Sequence, residues 1–150
     1  MGGGKEKVAP KLTRKELIER LSDEFPEASH AVGDYEIEEL WYGGCRVRRR
    51  HHEKSLRPGG TVSGPVMMAL ADFTMYLAVL SAVGWRPLAV TTSLTINFLK
   101  KPAARDVLAE ARLIKLGKRL AFGEVELRAD GDDELVAHVT STYSLPDKGA

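Results

Sequence analysis

The chain has 150 residues, 43% of them hydrophobic and 29% charged, with a net charge of +1 at neutral pH. That length suits one domain with a full apolar core, and the near-neutral balance removes the global field by which nucleic-acid binders and membrane-surface proteins hold their targets. The single cysteine, Cys45, excludes an intrachain disulfide and fits a reducing cytoplasm.

Met1–Lys7 is polar and glycine-rich with no apolar run, so residues 1–12 read as a flexible tail and not as a signal peptide. Thr13-Arg14-Lys15-Glu16 has the chemistry of a capping box, in which a hydroxyl and a carboxylate each satisfy an orphan N–H. Leu17, Ile18, Leu21 and Phe25 then recur at helical spacing until Pro26 closes the helix. Tyr35–Tyr42 and Cys45–His52 read as strands about a Gly43-Gly44 turn, and Glu53–Val62, with Pro58-Gly59-Gly60, as a loop.

A long helix is predicted from Ser63 to Val83, with Ser63 as its cap, Pro65 in its first turn and Gly84 as its stop. Its apolar residues occupy every side, so protein must surround it. Val66–Val83 approaches the spanning threshold of about 18 apolar residues, but Asp72, Thr74 and Ser81 interrupt it. A central acid is costly in lipid, so no membrane span is expected. Strands follow at Leu88–Lys100, Val107–Leu116, Leu120–Ala129 and Leu135–Leu145, turning at Gly117-Lys118 and at Asp130–Asp133. This order predicts an α+β domain over residues 13–146, with a polar tail at 147–150. An antiparallel sheet curls round one buried helix, and an N-terminal helix is added. One sheet cannot hide every side of such a helix, so self-association is expected.

Asp72 is the first candidate for chemistry. A carboxylate in the middle of an apolar helix must pair, neutralise or perform a task, and burial would raise its pKa toward that of a general base. The plainer reading is a carboxylate bonded to a neighbouring loop or facing solvent at a gap in the sheet. The helix start is the second candidate. Ser63-Gly64-Pro65 presents free N–H groups at a positive dipole end, and Gly64 allows close approach to a carbonyl oxygen as it gains charge. A simple capped helix would look the same.

From Gly60 to Asp72 the chain reads Gly-Thr-Val-Ser-Gly-Pro-Val-Met-Met-Ala-Leu-Ala-Asp. This resembles the signature of the phenylacetate-pathway (PaaI-type) hotdog thioesterases, Gly-Thr-x-His-Gly-Gly followed by an apolar helix with an acid. Thr91–Leu99 and Gly117–Phe122 resemble that family's next strand and hairpin, and the likeness runs from about Tyr35 to Leu145. The resemblance implies a hotdog fold and acyl-CoA thioester hydrolysis. Asp72 is then base or nucleophile, the Gly64 N–H polarises the carbonyl, and Thr91 helps to position water from the subunit facing the acid. Ser63 stands where the family has His and can donate only through its hydroxyl. Arg57 stands where the family has Asn; holding a carboxylate or phosphate and folding back onto Asp72 are both open to it. Gly60, Arg57 and Met68 are expected beside the substrate, with an apolar tunnel near Met67, Met68, Phe73 and Met75.

Lys100 and Lys101, where relatives carry one basic residue before Pro, imply a bulge in that strand. With Arg119 and its neighbours they form either a contact for the phosphates of coenzyme A or an ordinary solvated edge. The run Arg46–His52 reads as the exposed face of a strand rather than a nucleic-acid surface. His51-His52 lack a second ligand pair, so no metal is expected, and no cofactor beyond the coenzyme A of the substrate. His138 reads as packed or surface-facing. The expected molecule is a cytoplasmic homodimer or dimer of dimers with pockets at the subunit interface. It binds neither nucleic acid nor membrane. The rival reading is a hotdog protein that binds acyl groups, or serves as a scaffold, without hydrolysis.

Overall fold

The capping box forms as its spacing requires. Thr13 Oγ1 accepts from Glu16 N at 3.1 Å, and Glu16 Oε1 accepts from Thr13 N at 3.2 Å. It opens helix α1 (Arg14–Glu24), which buries Leu17 and Leu21. The computed structural model describes residues 7–25, 35–52, 56–57 and 61–147. Pro26, Pro58-Gly59-Gly60, residues 1–6 and residues 148–150 lie outside them. Residues 7–12, expected within a flexible tail, are tied to the body instead. Tyr42 N donates to Val8 O at 2.7 Å, Lys11 N donates to Ser81 O at 2.8 Å, and Leu12 is buried.

The remaining elements are β1 (Tyr35–Trp41), β2 (Gly44–Arg49), β3 (Leu56–Arg57), β4 (Thr61–Val62), α2 (Gly64–Val83), β5 (Val90–Phe98), β6 (Val107–Leu116), β7 (Leu120–Ala129) and β8 (Leu135–Ser144). Six strands form one antiparallel sheet in the order β1-β2-β6-β7-β8-β5. β3 and β4 form a separate two-stranded pair. The sequence reads that stretch as loop, because two residues per strand are too few to show alternation.

The sheet curls round α2, and this is the hotdog architecture. Ser63 caps the helix by accepting from Val66 N at 3.4 Å, and Gly84 ends it at φ 85° with its N–H donating to Leu80 O. Every residue from Thr74 to Ala82 is buried. The two polar ones are satisfied, since Thr74 Oγ1 donates to Leu70 O and Ser81 Oγ to Ala78 O, each at 2.6 Å. The helix is long and apolar enough to cross a membrane by length and composition, yet 67% of its most apolar 18-residue window is buried within the fold. The N-terminal half is less enclosed. Pro65, Met68 and Ala69 are exposed and Asp72 is half-buried, a stripe at helical spacing that the chain's own sheet leaves open.

β7 crosses α2 closely at Gly123. A Cβ on Gly123 would stand 2.8 Å from Met75 Cε and 2.6 Å from Arg112 O, so the sheet reaches the helix there only because the side chain is hydrogen. On the outer face, Arg48 binds Glu38 at 2.6 Å, Asp130 at 3.0 Å and Asp106 at 3.1 Å. Cys45 and Val47 point inward while Arg46 and Arg48 point out; Arg49, expected on the exposed face with them, is buried on the inner side instead, with Nη1 donating to the Arg50 carbonyl. Burial works against the charge on Glu38, but the Arg48 and Arg46 hydrogen bonds outweigh it and hold that carboxyl below its ordinary range.

β5 is an edge strand with neither charge nor proline in it. The regular ladder ends at Phe98, and the bulge expected at Lys100-Lys101 falls one residue earlier, where Leu99 N and Lys100 N both donate to Val136 O at 2.9 and 3.3 Å. The register also shifts between Thr91 and Ser93, leaving Thr92 as an extra residue. Leu94 and Ile96 pack on the core. Strict alternation from them would turn residue 92 toward the helix and residue 91 away; the bulge reverses this and turns Thr91 inward.

Candidate active site

Asp72 lies on the third turn of α2, beside the start of β5. Thr91 Oγ1 donates to Asp72 Oδ1 at 2.6 Å. Tyr143 OH donates to the same oxygen at 2.8 Å and lies 3.1 Å from the Asp72 carbonyl. Thr91 and Tyr143 are register partners across β5 and β8, so one rung of the sheet delivers both hydroxyls. Among the described residues Oδ2 has no partner. The acid is half-buried, not deep in the core as its apolar neighbours in sequence imply, and it opens on a groove of about 380 Å³. Phe25, Phe73, Tyr76, Pro87 and Val90 wall this groove. Burial pushes the Tyr76 phenol up to about 12 and raises Tyr143 further, so both stay protonated hydrogen-bond donors at neutral pH.

Gly64 opens a second pocket, of about 440 Å³, lined also by Val62, Met67, Phe98, Lys100 and Lys101. Its N–H is one of the orphan donors of the helix start and has no partner among the described residues. A Cβ there would meet Phe98 Cζ at 3.2 Å, so a side chain would crowd the entrance. Gly64 and Asp72 are eight residues apart on one helix, about 12 Å along its axis. Within one protomer they serve different pockets.

Other expected site residues are placed as follows. Ser63 Oγ is occupied as the helix cap, which uses it as an acceptor and leaves its proton to donate. Thr91 meets Asp72 of its own chain, which corrects the expectation of a contact from a facing subunit. Met68 is exposed on the open stripe of α2 and lines neither pocket; Met75 is fully buried against Gly123, so the expected tunnel does not pass it. Lys100 is engaged by Asp132 at 2.8 Å and Glu134 at 3.3 Å, which raise its pKa, whereas Lys101 is exposed and lines the Gly64 pocket. Arg119 is exposed at the β6–β7 turn and lines neither pocket. The backbone of Arg57 pairs with Thr61; its side chain and Gly60 lie outside the described residues. Among the described residues no three metal-ligating side chains cluster.

Sequence reasoning missed Tyr143, Tyr76 and the part played by Phe25. Alternation in β8 carried a usable signal for the first. Ala137, Val139, Ser141 and Tyr143 share the inner face, and a phenol on a core face needs a partner for its hydroxyl.

A curved antiparallel sheet gripping one long helix, with an acid of that helix held at a groove, defines a hotdog enzyme of thioester hydrolysis. Comparison with known proteins agrees. Residues 59–136 match the Thioesterase superfamily. A "putative esterase" of Saccharolobus solfataricus is 32% identical over 134 residues, which span 89% of this chain and 86% of that one. The crystal structure of a "putative thioesterase" from Silicibacter sp. is 43% identical, with a TM-score of 0.78 and 96% of each chain covered. A mutant of the phenylacetic acid degradation protein PaaI from Thermus thermophilus is 27% identical, with a TM-score of 0.69 over 79% of this chain and 99% of that one. The chain belongs to the Thioesterase superfamily, as a PaaI-like hotdog thioester hydrolase.

Proposed function

We propose that the chain hydrolyses acyl-CoA thioesters at a site completed by a second copy of itself, in a cytoplasmic, reducing setting. The observation that carries this reading is the carboxylate of Asp72. It is fixed at a groove by two hydroxyls on one oxygen, with the other oxygen unpartnered among the described residues.

The need for a second copy follows from the separation of Gly64 and Asp72 and from the bare edge of β5. An uncharged edge with free N–H and C=O groups is a template for pairing. Antiparallel pairing of two β5 strands about a two-fold axis at Thr95 sets the Thr91 end of one copy against the Phe98 end of the other. The Asp72 groove of one protomer then adjoins the Gly64 pocket of its partner. A dimer of dimers is the further assembly this reading allows.

In that composite site the Gly64 N–H holds the thioester carbonyl oxygen and stabilises the negative charge that develops there. Asp72 Oδ2 of the facing copy takes a proton from water as the water oxygen bonds to the carbonyl carbon. The tetrahedral intermediate collapses, the C–S bond breaks, and the thiolate recovers the proton from Asp72. The products are a carboxylic acid and a free thiol. The acyl group lies between Phe25, Phe73 and Tyr76, and Lys101 is, among the described residues, an unengaged cation for a coenzyme A phosphate at the Gly64 end. Lys100 is already engaged, and Arg119 lines neither pocket.

The test is thiol release from a panel of short, medium and aromatic acyl-CoAs by Asp72→Asn. Turnover is expected to fall by about 10²–10⁴. Hydrolysis at the wild-type rate by this variant would sink the assignment. Acyl-CoA binding without thiol release by the wild-type protein would establish the non-hydrolytic reading in its place.

A further inference from the structure

The last strand carries into the site a residue that the acid and oxyanion chemistry does not by itself require. Tyr143 is 3% exposed and stacks on Tyr76 with ring centroids 6.2 Å apart. Tyr76 is fixed in turn by its hydroxyl, which donates to Pro87 O at 3.0 Å. The phenol therefore has little freedom, and its single proton is directed at Asp72, shared between Oδ1 at 2.8 Å and the main-chain carbonyl at 3.1 Å. Thr91, its register partner, brings a second hydroxyl to the same Oδ1 at 2.6 Å.

We propose that Tyr143 is a positioning residue for hydrolysis: together with Thr91 it ties down one oxygen of Asp72, so that Oδ2 alone is presented to water in the groove. The inference rests on reading Asp72 as the acid of the site. An Asp side chain on a helix has two rotatable bonds. A carboxylate that turned freely would offer either oxygen and spend most of its time misaligned with the attacking water. Two donors on Oδ1 remove that freedom. Burial, with the Asp72 charge adding to it, keeps the phenol protonated well beyond neutral pH, so the donor persists across the working range. Thr91 lies on the exposed edge strand, whereas Tyr143 is anchored in the core, so Tyr143 supplies the rigid half of the clamp.

Tyr143→Phe keeps the ring and its stacking and removes the donor. A hydrogen bond to a charged group predicts a fall in kcat of about 10- to 100-fold, with KM within about threefold of wild type because no substrate contact is lost. The acidic limb of kcat/KM should move to higher pH, since the ionised carboxylate has lost a hydrogen bond that favours it. Added to Asp72→Asn, the same change should cost nothing further, because it acts through Asp72. An Asp72→Asn variant that hydrolyses like wild type overturns the reading of the site itself. An inactive Asp72→Asn beside a Tyr143→Phe with wild-type kcat and pH profile overturns the positioning role alone. If Tyr143→Phe fails to fold, a fluorotyrosine at position 143 preserves the packing and strengthens the donor. The acidic limb should then move to lower pH, and an unmoved limb overturns the proposal.

Discussion

Phe25 and Tyr76 meet edge to face, with ring centroids 6.3 Å apart and planes inclined at 74°. Phe25, the C-cap of α1, thereby becomes a wall of the groove that holds Asp72, and α1 helps to shape the groove in which the acyl group is proposed to lie. Phe25→Ala should lengthen the space available to the acyl chain. One methylene in an apolar pocket discriminates by roughly 10-fold or more, so the ratio of kcat/KM for long over short acyl-CoAs should rise by about that factor. A ratio unchanged across a chain-length series would show that the acyl group lies elsewhere.

Pairing of β5 edges places Thr95 beside its own symmetry mate. Thr95→Lys puts two like charges nearly opposite each other, which destabilises strand pairing. Sedimentation should show a monomer, circular dichroism a retained fold, and thiol release a loss of about 100-fold or more, on the order of what removing one oxyanion donor costs. A fully active monomer would mean that one protomer holds a complete site.

Gly123 tests how closely the sheet grips the helix. In Gly123→Ala the new methyl meets Arg112 O and Met75 Cε inside contact distance. Overpacking of this kind costs roughly 1–3 kcal/mol, so Tm should fall by several degrees. In a Met75→Ala background the same glycine change should cost less, because one side of the clash is gone. Calorimetry of the single and double variants checks both statements.

The Arg48 cluster predicts how stability depends on pH. Glu38 is held below its ordinary range by Arg48 and Arg46 against the effect of burial. Asp106 is held low first by the His51 N–H and then by Arg48, with burial again opposing. Carboxyls with depressed folded-state values bind protons less readily than in the unfolded chain. Their stabilisation is therefore complete above about pH 4 and is lost as pH falls through the lowered values. Arg48→Met removes the cation and leaves Glu38, Asp106 and Asp130 close together. It should cost roughly 1–3 kcal/mol near neutrality and move the midpoint of acid unfolding upward. An acid transition identical to wild type would assign no energy to the cluster.

Much of the fold was legible because its signals are local. Thr13 and Glu16 announce α1, Ser63, Pro65 and Gly84 bound α2, and a helix apolar on every side has no solution but a sheet wrapped round it. Asp72 stood out because an acid in that helix demands a reason. What surrounds it was not legible. Tyr143 is 71 residues away and Phe25 is 47 residues before it in the chain, and only the strand order β7-β8-β5 and the packing of α1 bring them close. The exposure of Asp72 stays open in the sequence for a similar reason: its sequence neighbours are apolar, but they point to other sides of the helix.

The single extra residue at Thr92 has a consequence for how this active centre varies. It fixes the facing of Thr91 by counting, whatever side chain stands at position 92. Shortening the strand by one residue there would rotate Thr91 outward and strand the acid with one donor, while almost any substitution of Thr92 would leave the arrangement standing. A homologue with a straight edge strand must therefore recruit its second hydroxyl from a neighbouring position, and alignments that slide a gap through this segment will pair residues that face opposite sides of the sheet.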